Sequence, residues 1–495
     1  MGRPLPVRVM GHNIRKKDSN ETIKGIAVIF FWLLLWQLAA MITGMPLILP
    51  SPVEALKSLV KLLATGAFYM DVAATIYRCL LGIILSFASG VLSAGLAYKS
   101  AAVRALLSLP VNFLKATPVM AVIIYALLLL TSNNVPVFVC FLMCYPVVYI
   151  NVLSGLDNMD VEYLEMAHVF AVKGRDKFRW LYLPSITPEI KASLNLIAGL
   201  SWKSVVAAEV LSVPQFSMGY NLLNSKIYFE TGELFAWIIS IVALAYTFER
   251  IIRYSIKRIE VKEYPGTRVL NRNPQKSEHL LQEPEEGLCK DRGSASDIVI
   301  KNLTKSYDSK VIFNNYNLTI QGGKATAIMG PSGAGKTTLL RIISGLIKAD
   351  GGVLTGLPAT DKGAVRISYL FQEDRLLPWL NIYDNLALVL KGKISEASID
   401  STIREVLGRM ELSQDLSKLP DQLSGGMRHR VAMARALAYP AGLLLMDEPL
   451  KGLDEALKSR IVEESWKRYT LGKTVIIVTH NSSDAVKLAD KVIKL

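Results

Sequence analysis

Cysteine is scarce in this chain: four in 495 residues, Cys79, Cys140, Cys144 and Cys289, scattered along its length. That excludes a disulfide framework of the kind that holds small secreted domains together. Cys140 and Cys144 share a helix face at i, i+4, but no histidine or carboxylate neighbours them in the sequence, so packing rather than metal binding is expected. Charge is missing over long stretches, with no Asp, Glu, Lys or Arg in residues 25–43 or 116–156, which excludes a wholly soluble chain. Arginine interleaved with aromatics is also missing, so the net charge of +14 does not predict a nucleic-acid partner. Basic residues of membrane proteins gather in cytoplasmic loops beside anionic lipid headgroups.

What is present divides into two halves. Hydrophobic residues are 51% of the chain and the mean hydropathy is +0.32, a surplus carried by the first half, whereas the second reads as a soluble α/β domain. Residues 1–24, with Arg3, Arg8, Arg15, Lys16, Lys17 and Lys24, are expected to form a cytoplasmic N-terminal segment. Residues 25–43 then make a retained span, since a signal peptide has a shorter apolar core ending at a small-residue cleavage site. Ser51, Pro52 and Glu54 form a capping box that opens an amphipathic helix, with Val53, Leu56, Val60 and Leu63 on the face laid against the outer membrane surface. Further spans are expected at 79–98, at two places within 116–156 separated by a turn at 131–134, at 192–213 and at 233–254. Six spans from an inside start return the chain to the cytoplasm, and the basic loops 99–115 and 173–179 then fall inside. Residues 25–257 are thus an all-α membrane domain. Residues 258–297, rich in Pro, Gly, Ser, Asn and alternating charge, are a flexible tether, and 298–495 are a second domain.

That second domain carries Gly330, Pro331, Ser332, Gly333, Ala334, Gly335, Lys336, Thr337 and Thr338, the pattern G-x-x-x-x-G-K-[ST] between a buried strand and a helix. Its glycines let backbone N–H groups curl around a phosphate, Lys336 reaches the terminal phosphates, and Thr337 offers a hydroxyl to Mg²⁺. Residues 443–448 read as a buried strand ending in two acids. Asp447 suits Mg²⁺ held through water, and Glu448 suits the base that activates the attacking water. One carboxylate serves both roles poorly, because the metal suppresses its basicity. Leu423, Ser424, Gly425, Gly426 and Met427 open a helix whose N–H groups and serine hydroxyl make an anion site. Of the five histidines, His480 alone follows a strand of this buried kind.

In this order the elements resemble the ATPases of ABC transporters. The resemblance identifies residues 423–427 as the signature that completes the ATP site of a second copy, Gln372 as the Q-loop glutamine touching Mg²⁺ and the attacking water, and Asp454 as part of the D-loop. It also implies that His480 contacts the γ-phosphate and that Tyr307 stacks on adenine. Departures are Met427 and His429 where the family commonly has Gln, Leu450 for Phe and Asn481 for Asp. No regulatory domain is expected after Leu495. In the first half, Glu165-Met166-Ala167, then Ala171, then Leu181 to Pro184, resembles the E-A-A loop of bacterial ABC import permeases, with Met166, Ala171 and Leu181 as departures. That loop docks a short helix on the ATPase. Leu49 to Pro52, Tyr77-Arg78 with Gly82, Ser201-Trp202-Lys203 with Ala207 to Glu209, and Gly232 to Trp237 resemble the nitrate, sulfonate and taurine branch. Lys203 and Glu209 are ionisable groups in a span, so each is expected to face a cavity or partner or to snorkel to headgroups. They point about 120° apart on one helix and need not pair.

The expected architecture is therefore multidomain: an all-α six-span membrane domain of the importer permease type followed by an α/β P-loop ABC ATPase domain. The resemblance implies an ATP- and Mg²⁺-dependent importer in a bacterial inner membrane, with both termini cytoplasmic, acting as a homodimer with a separate extracytoplasmic substrate-binding protein. The cargo implied is a small anion such as nitrate, taurine or an alkyl sulfonate. A vitamin precursor or other heterocycle is the alternative, and an exporter half-transporter or a soluble ABC ATPase are lesser ones.

Overall fold

The computed structural model describes residues 13–262, 296–307, 310–358 and 365–495. Half of the N-terminal segment, most of the tether and Cys289 lie outside them. The chain divides into two compact units, Met1–Asp157 with Ile186–Ile259, and Asn158–Ser185 with Glu260–Leu495.

The first unit is helical. Ser51 Oγ accepts from Glu54 N at 3.2 Å while Ser51 N donates to Glu54 Oε2 at 2.9 Å, the reciprocal cap expected for the helix Pro52–Leu63. Its Val53, Leu56, Val60 and Leu63 are exposed. Among the described residues, four helices are long and apolar enough to cross a membrane: Gly66–Lys99, Val135–Asp157, Gly174–Ser212 and Thr231–Lys257. The expected first span lies in the helix Asn13–Thr43, and the expected third is half of a broken pair, Ala101–Ala116 and Val119–Leu129, bent by 109°. The break falls at Thr117-Pro118, because proline has no N–H to continue the ladder and pushes the preceding residue into extended backbone; Thr117 sits at φ −76°, ψ 128°. The stretch 99–115 is accordingly a helix capped by Ser100, not an open loop. Small residues let two spans approach closely: a Cβ on Gly82 would lie 2.5 Å from Cys140 Sγ, and one on Gly90 2.8 Å from Val148 Cβ. Cys79, Cys140 and Cys144 are buried free thiols.

The second unit is an α/β fold. Strands β1 (Ile298–Tyr307), β2 (Lys310–Ile320) and β4 (Gly351–Thr355) form an antiparallel sheet ordered β2-β1-β4. Strands β3 (Ala325–Met329), β5 (Ile367–Leu370), β6 (Leu443–Asp447), β7 (Thr474–Val478) and β8 (Lys491–Lys494) form a parallel sheet ordered β5-β6-β7-β3-β8. Its central strands β6 and β7 are buried at every position, as a parallel sheet covered on both faces requires.

Candidate functional site

Parallel register brings three expected site elements to one edge. Ile328 pairs with Val478, and Asp447 pairs with Val478, so β3, β6 and β7 end flush and release the phosphate loop, the two acids and His480 side by side. The crevice beyond the carboxyl ends of such strands is where open α/β sheets bind ligands. Gly333 and Gly335 hold φ +82° and +92°, which glycine alone adopts freely. A Cβ on Gly335 would also meet Ile312 Cγ2 at 2.6 Å. Lys336 begins the next helix, Lys336–Ile343, and its ammonium folds back across the loop mouth to the carbonyls of Gly330 and Pro331, both at 2.8 Å.

Thr337 Oγ1 donates to Asp447 Oδ2 at 2.9 Å. Burial pushes the Asp447 carboxyl up to about 6, opposed in part by the Thr337 hydroxyl. A buried carboxylate short of positive charge, with a hydroxyl against it, fits a divalent cation with oxygen ligands. Thr337, Gln372 and Asp447 line one cavity of 280 Å³, so the three residues expected around Mg²⁺ converge. Glu448 stands at φ +53°, a left-handed position that costs a non-glycine residue about 1–2 kcal/mol. Its N–H continues the ladder to Val478 O at 2.8 Å, and its carboxylate accepts from Thr479 Oγ1 at 3.1 Å and from His480 N at 3.1 Å, with His480 Nδ1 at 2.6 Å.

Other expected residues stand outside this cavity. Ser424 caps the helix Gly425–Ala438 by accepting from Met427 N at 3.3 Å, and Gly425 is exposed. None of residues 423–427 lines the cavity. Asp454 caps the helix Glu455–Ile461, accepting from Leu457 N at 2.9 Å. Tyr307 ends β1 and is 43% exposed, with Lys305 Nζ 5.3 Å from its ring centroid.

The E-A-A-like segment packs within this same unit. Asp160 caps the helix Val161–Val169, and Met166, Ala167, Phe170 and Leu181 are buried in the unit's apolar core. Glu165 accepts from Arg341, on the helix after the phosphate loop, and from Arg375 Nη1 at 2.7 Å, three residues beyond Gln372. Arg375 lies over the Phe371 ring at 4.0 Å. Trp379 Nε1 donates to Trp180 O at 2.8 Å, and Tyr439 Oη to Phe170 O at 3.1 Å. Ala171 has φ +47°, which explains physically why glycine suits this position. Pro184 lies inside the continuous helix Gly174–Ser212, directly after its π-helical turn Phe178–Tyr182. Sequence reasoning missed Arg341, Arg375, Trp379 and Tyr439, because no local pattern reveals their partners.

In the first unit, Glu209 is fully buried and pairs with Arg78 at 2.7 Å. Thr75 Oγ1 at 3.0 Å and Gly219 N at 3.2 Å also donate to it. Arg78 further donates to the carbonyls of Phe216 at 2.9 Å and Gln215 at 2.8 Å, so this ion pair pins the turn before the helix Met218–Ile227. Lys203 is exposed, and among the described residues it forms no ion pair with Glu209.

A flush parallel edge carrying a phosphate loop, paired acids and a histidine defines the class of P-loop nucleotide-binding cassettes. Residues 313–451 match the family model described as ABC transporter, and residues 82–261 match that described as binding-protein-dependent transport system inner membrane component. An aliphatic sulfonates import ATP-binding protein of Pseudomonas savastanoi is 39% identical over 200 residues, 40% of this chain and 72% of that protein. One from Cupriavidus necator is 41% identical over 203 residues, 39% of this chain and 64% of that protein. A spermidine/putrescine import ATP-binding protein of Thermotoga maritima is 37% identical over 205 residues, 40% of this chain and 55% of that protein. The chain thus spans little more than half to two thirds of the length of two of these relatives. It belongs to the ABC transporter family, and it carries a permease domain and an ATP-binding cassette in one polypeptide.

Proposed function

We propose that this chain is an ATP-driven importer of a small anion that works as a homodimer in a bacterial inner membrane, with both termini cytoplasmic. Residues 25–257 act as permease, 258–297 as tether and 298–495 as ATPase. ATP lies on the phosphate loop of one copy, with its adenine on Tyr307 and its outer phosphates facing Ser424 to Gly426 of the other. Supporting this, Ser424 and Gly425 are exposed at the start of their helix. Thr337, Gln372 and Asp447 would hold Mg²⁺, which supplies charge neutralisation to the β- and γ-phosphate oxygens. Glu448 takes a proton from water as its oxygen bonds the γ-phosphorus and the bond to the bridging oxygen breaks, giving ADP and phosphate; His480 contacts the γ-phosphate from the adjoining strand end.

The observation that carries transport, rather than hydrolysis alone, is Glu165. Its carboxylate joins the segment 158–185 to the phosphate-loop helix through Arg341 and to the Q-loop through Arg375, so nucleotide-driven movement of either loop pulls on that segment. The cargo reading rests on charge. Glu209 pairs with Arg78, leaving Lys203, which has no ion pair among the described residues, as an exposed positive charge on the same helix, and two of the relatives named above are aliphatic sulfonates import ATP-binding proteins. A separate extracytoplasmic binding protein delivers the cargo. Reconstituted in liposomes with its binding protein, the chain should show ATPase stimulated by an alkyl sulfonate, taurine or nitrate. Stimulation by a neutral heterocycle and by no anion would overturn the cargo reading.

A further inference from the structure

The signature helix carries two departures from the family pattern, Met427 and His429, and the second is buried. His429 lies five residues after Ser424 and is 6% exposed. Its Nδ1 is 3.2 Å from Asp374 Oδ1, and its Nε2 is 3.0 Å from Pro449 O. Both neighbours are acceptors: a peptide carbonyl has no proton to give, nor has an ionised carboxylate. A neutral imidazole has a single N–H, so it satisfies one of them and turns a lone pair towards the other. Only the imidazolium donates to both.

The two acceptors belong to the elements on which hydrolysis depends. Asp374 is two residues beyond Gln372, and Pro449 directly follows Glu448. We propose that His429 is a positioning residue whose imidazolium ties the signature helix to the Q-loop and to the strand end bearing the base, so that ATP hydrolysis depends on its protonation. This rests on the reading of the cassette as an ATPase. The charged groups around the tie are few. Asp374 faces the ring; Arg428 Nε stands 3.8 Å from the other oxygen of Asp374. Arg435, fully buried, donates to the backbone carbonyls of Arg375 at 2.8 Å and Asp374 at 2.9 Å, holding the loop that presents the carboxylate. Arg375 is engaged by Glu165, and the Glu448 carboxylate turns to Thr479 and His480. Asp374 is therefore the counter-charge of the imidazolium. A glutamine here, the residue ABC signatures commonly carry, offers a donor at one end and an acceptor at the other and does not titrate. Exchange of that amide for imidazole adds proton dependence to an otherwise constant contact.

The test uses the full chain in lipid nanodiscs. Steady-state ATPase is measured from pH 5.5 to 9 for the parent, His429→Gln and Asp374→Asn, and exchange of the histidine C2 hydrogen, read by mass spectrometry, follows the charge of each histidine without reference to activity. In the parent, kcat should fall about tenfold as pH rises through the titration of His429, the effect of losing one charge-assisted hydrogen bond. His429→Gln should lack that limb, and Asp374→Asn should move it to lower pH. An identical limb in His429→Gln, or C2 exchange showing a neutral His429 throughout, overturns the proposal. If His429→Gln does not fold, Asp374→Asn and the exchange data on the parent decide. Absence of any ATPase defeats the reading of the cassette, while C2 exchange still tests the tie.

Discussion

Glu165→Gln isolates the charge of the carboxylate that joins the segment 158–185 to the cassette, because the amide keeps its shape and one acceptor. The Arg375 side chain is 6% exposed, Glu165 16% and Arg341 32%. Removing one partner of a fully buried pair costs about 3–5 kcal/mol. Here Arg341 is a third exposed and is discounted to the surface value of about 0–1 kcal/mol. Arg375 keeps Glu373 at 3.6 Å and Glu162 at 3.9 Å as weaker counter-charges. The net expectation is about 2 kcal/mol, or roughly thirtyfold in the local opening equilibrium. Hydrogen exchange by mass spectrometry should therefore show the amides of Val161–Val169 exchanging roughly thirtyfold faster, while strands β6 and β7 are unchanged. In liposomes, basal ATPase should persist while stimulation by loaded binding protein is lost. Adding Arg375→Gln should cost less in the Glu165→Gln background than alone, since the pair is already broken. Unchanged exchange in this helix, with stimulation intact, would refute the role assigned to Glu165.

Asp384, third in the helix Ile382–Leu390, is buried and raised to about 6 by that burial. Its folded form binds a proton more tightly than the unfolded chain, so the contribution to stability is greatest below about pH 4 and falls as pH rises to 6, by about 2–3 kcal/mol. Asp384→Asn should raise the thermal midpoint of the cassette transition at pH 7.5 and leave it nearly unchanged at pH 4; a lower midpoint at pH 7.5 contradicts this. Arg78→Met leaves Glu209 buried without its counter-charge and should destabilise the membrane unit by about 3–5 kcal/mol. Addition of Glu209→Gln should restore much of the thermal midpoint, and no restoration would mean the pair is not the cause. Lys336→Ala removes the cation spanning the phosphate loop and should weaken binding of a fluorescent ATP analogue at least about a hundredfold; retained affinity would exclude Lys336 as a phosphate ligand.

Much of the site was legible because its chemistry sits in short contiguous runs. The phosphate loop, the acids after β6 and the histidine after β7 each combine a local pattern with a buried strand, and parallel register does the rest. Long-range pairing left no such trace. Arg78 and Glu209 are each visible as charges in apolar helices, but their partnership spans 131 positions. Arg341 and Arg375 read as ordinary basic residues until Glu165 is seen between them. The stretch 99–115 read as a loop from its flanking lysines, although its Ala- and Leu-rich interior supports a helix and the true break lies at Pro118. The position of Ala171 was seen as a departure from glycine, and only its backbone angle shows what glycine would do there.

The central claim is that each ATP site is built from the phosphate loop of one copy and the signature of the other. Dimers of two differently tagged chains test it most directly. In one preparation, one chain carries Lys336→Ala and its partner Ser424→Arg; in the other, a single chain carries both changes and its partner neither. A shared site predicts that the first dimer keeps one intact site and roughly half of the parent ATPase, whereas the second keeps none. The reverse result, activity only when both changes lie in one chain, would place the whole site within a single copy and contradict the account.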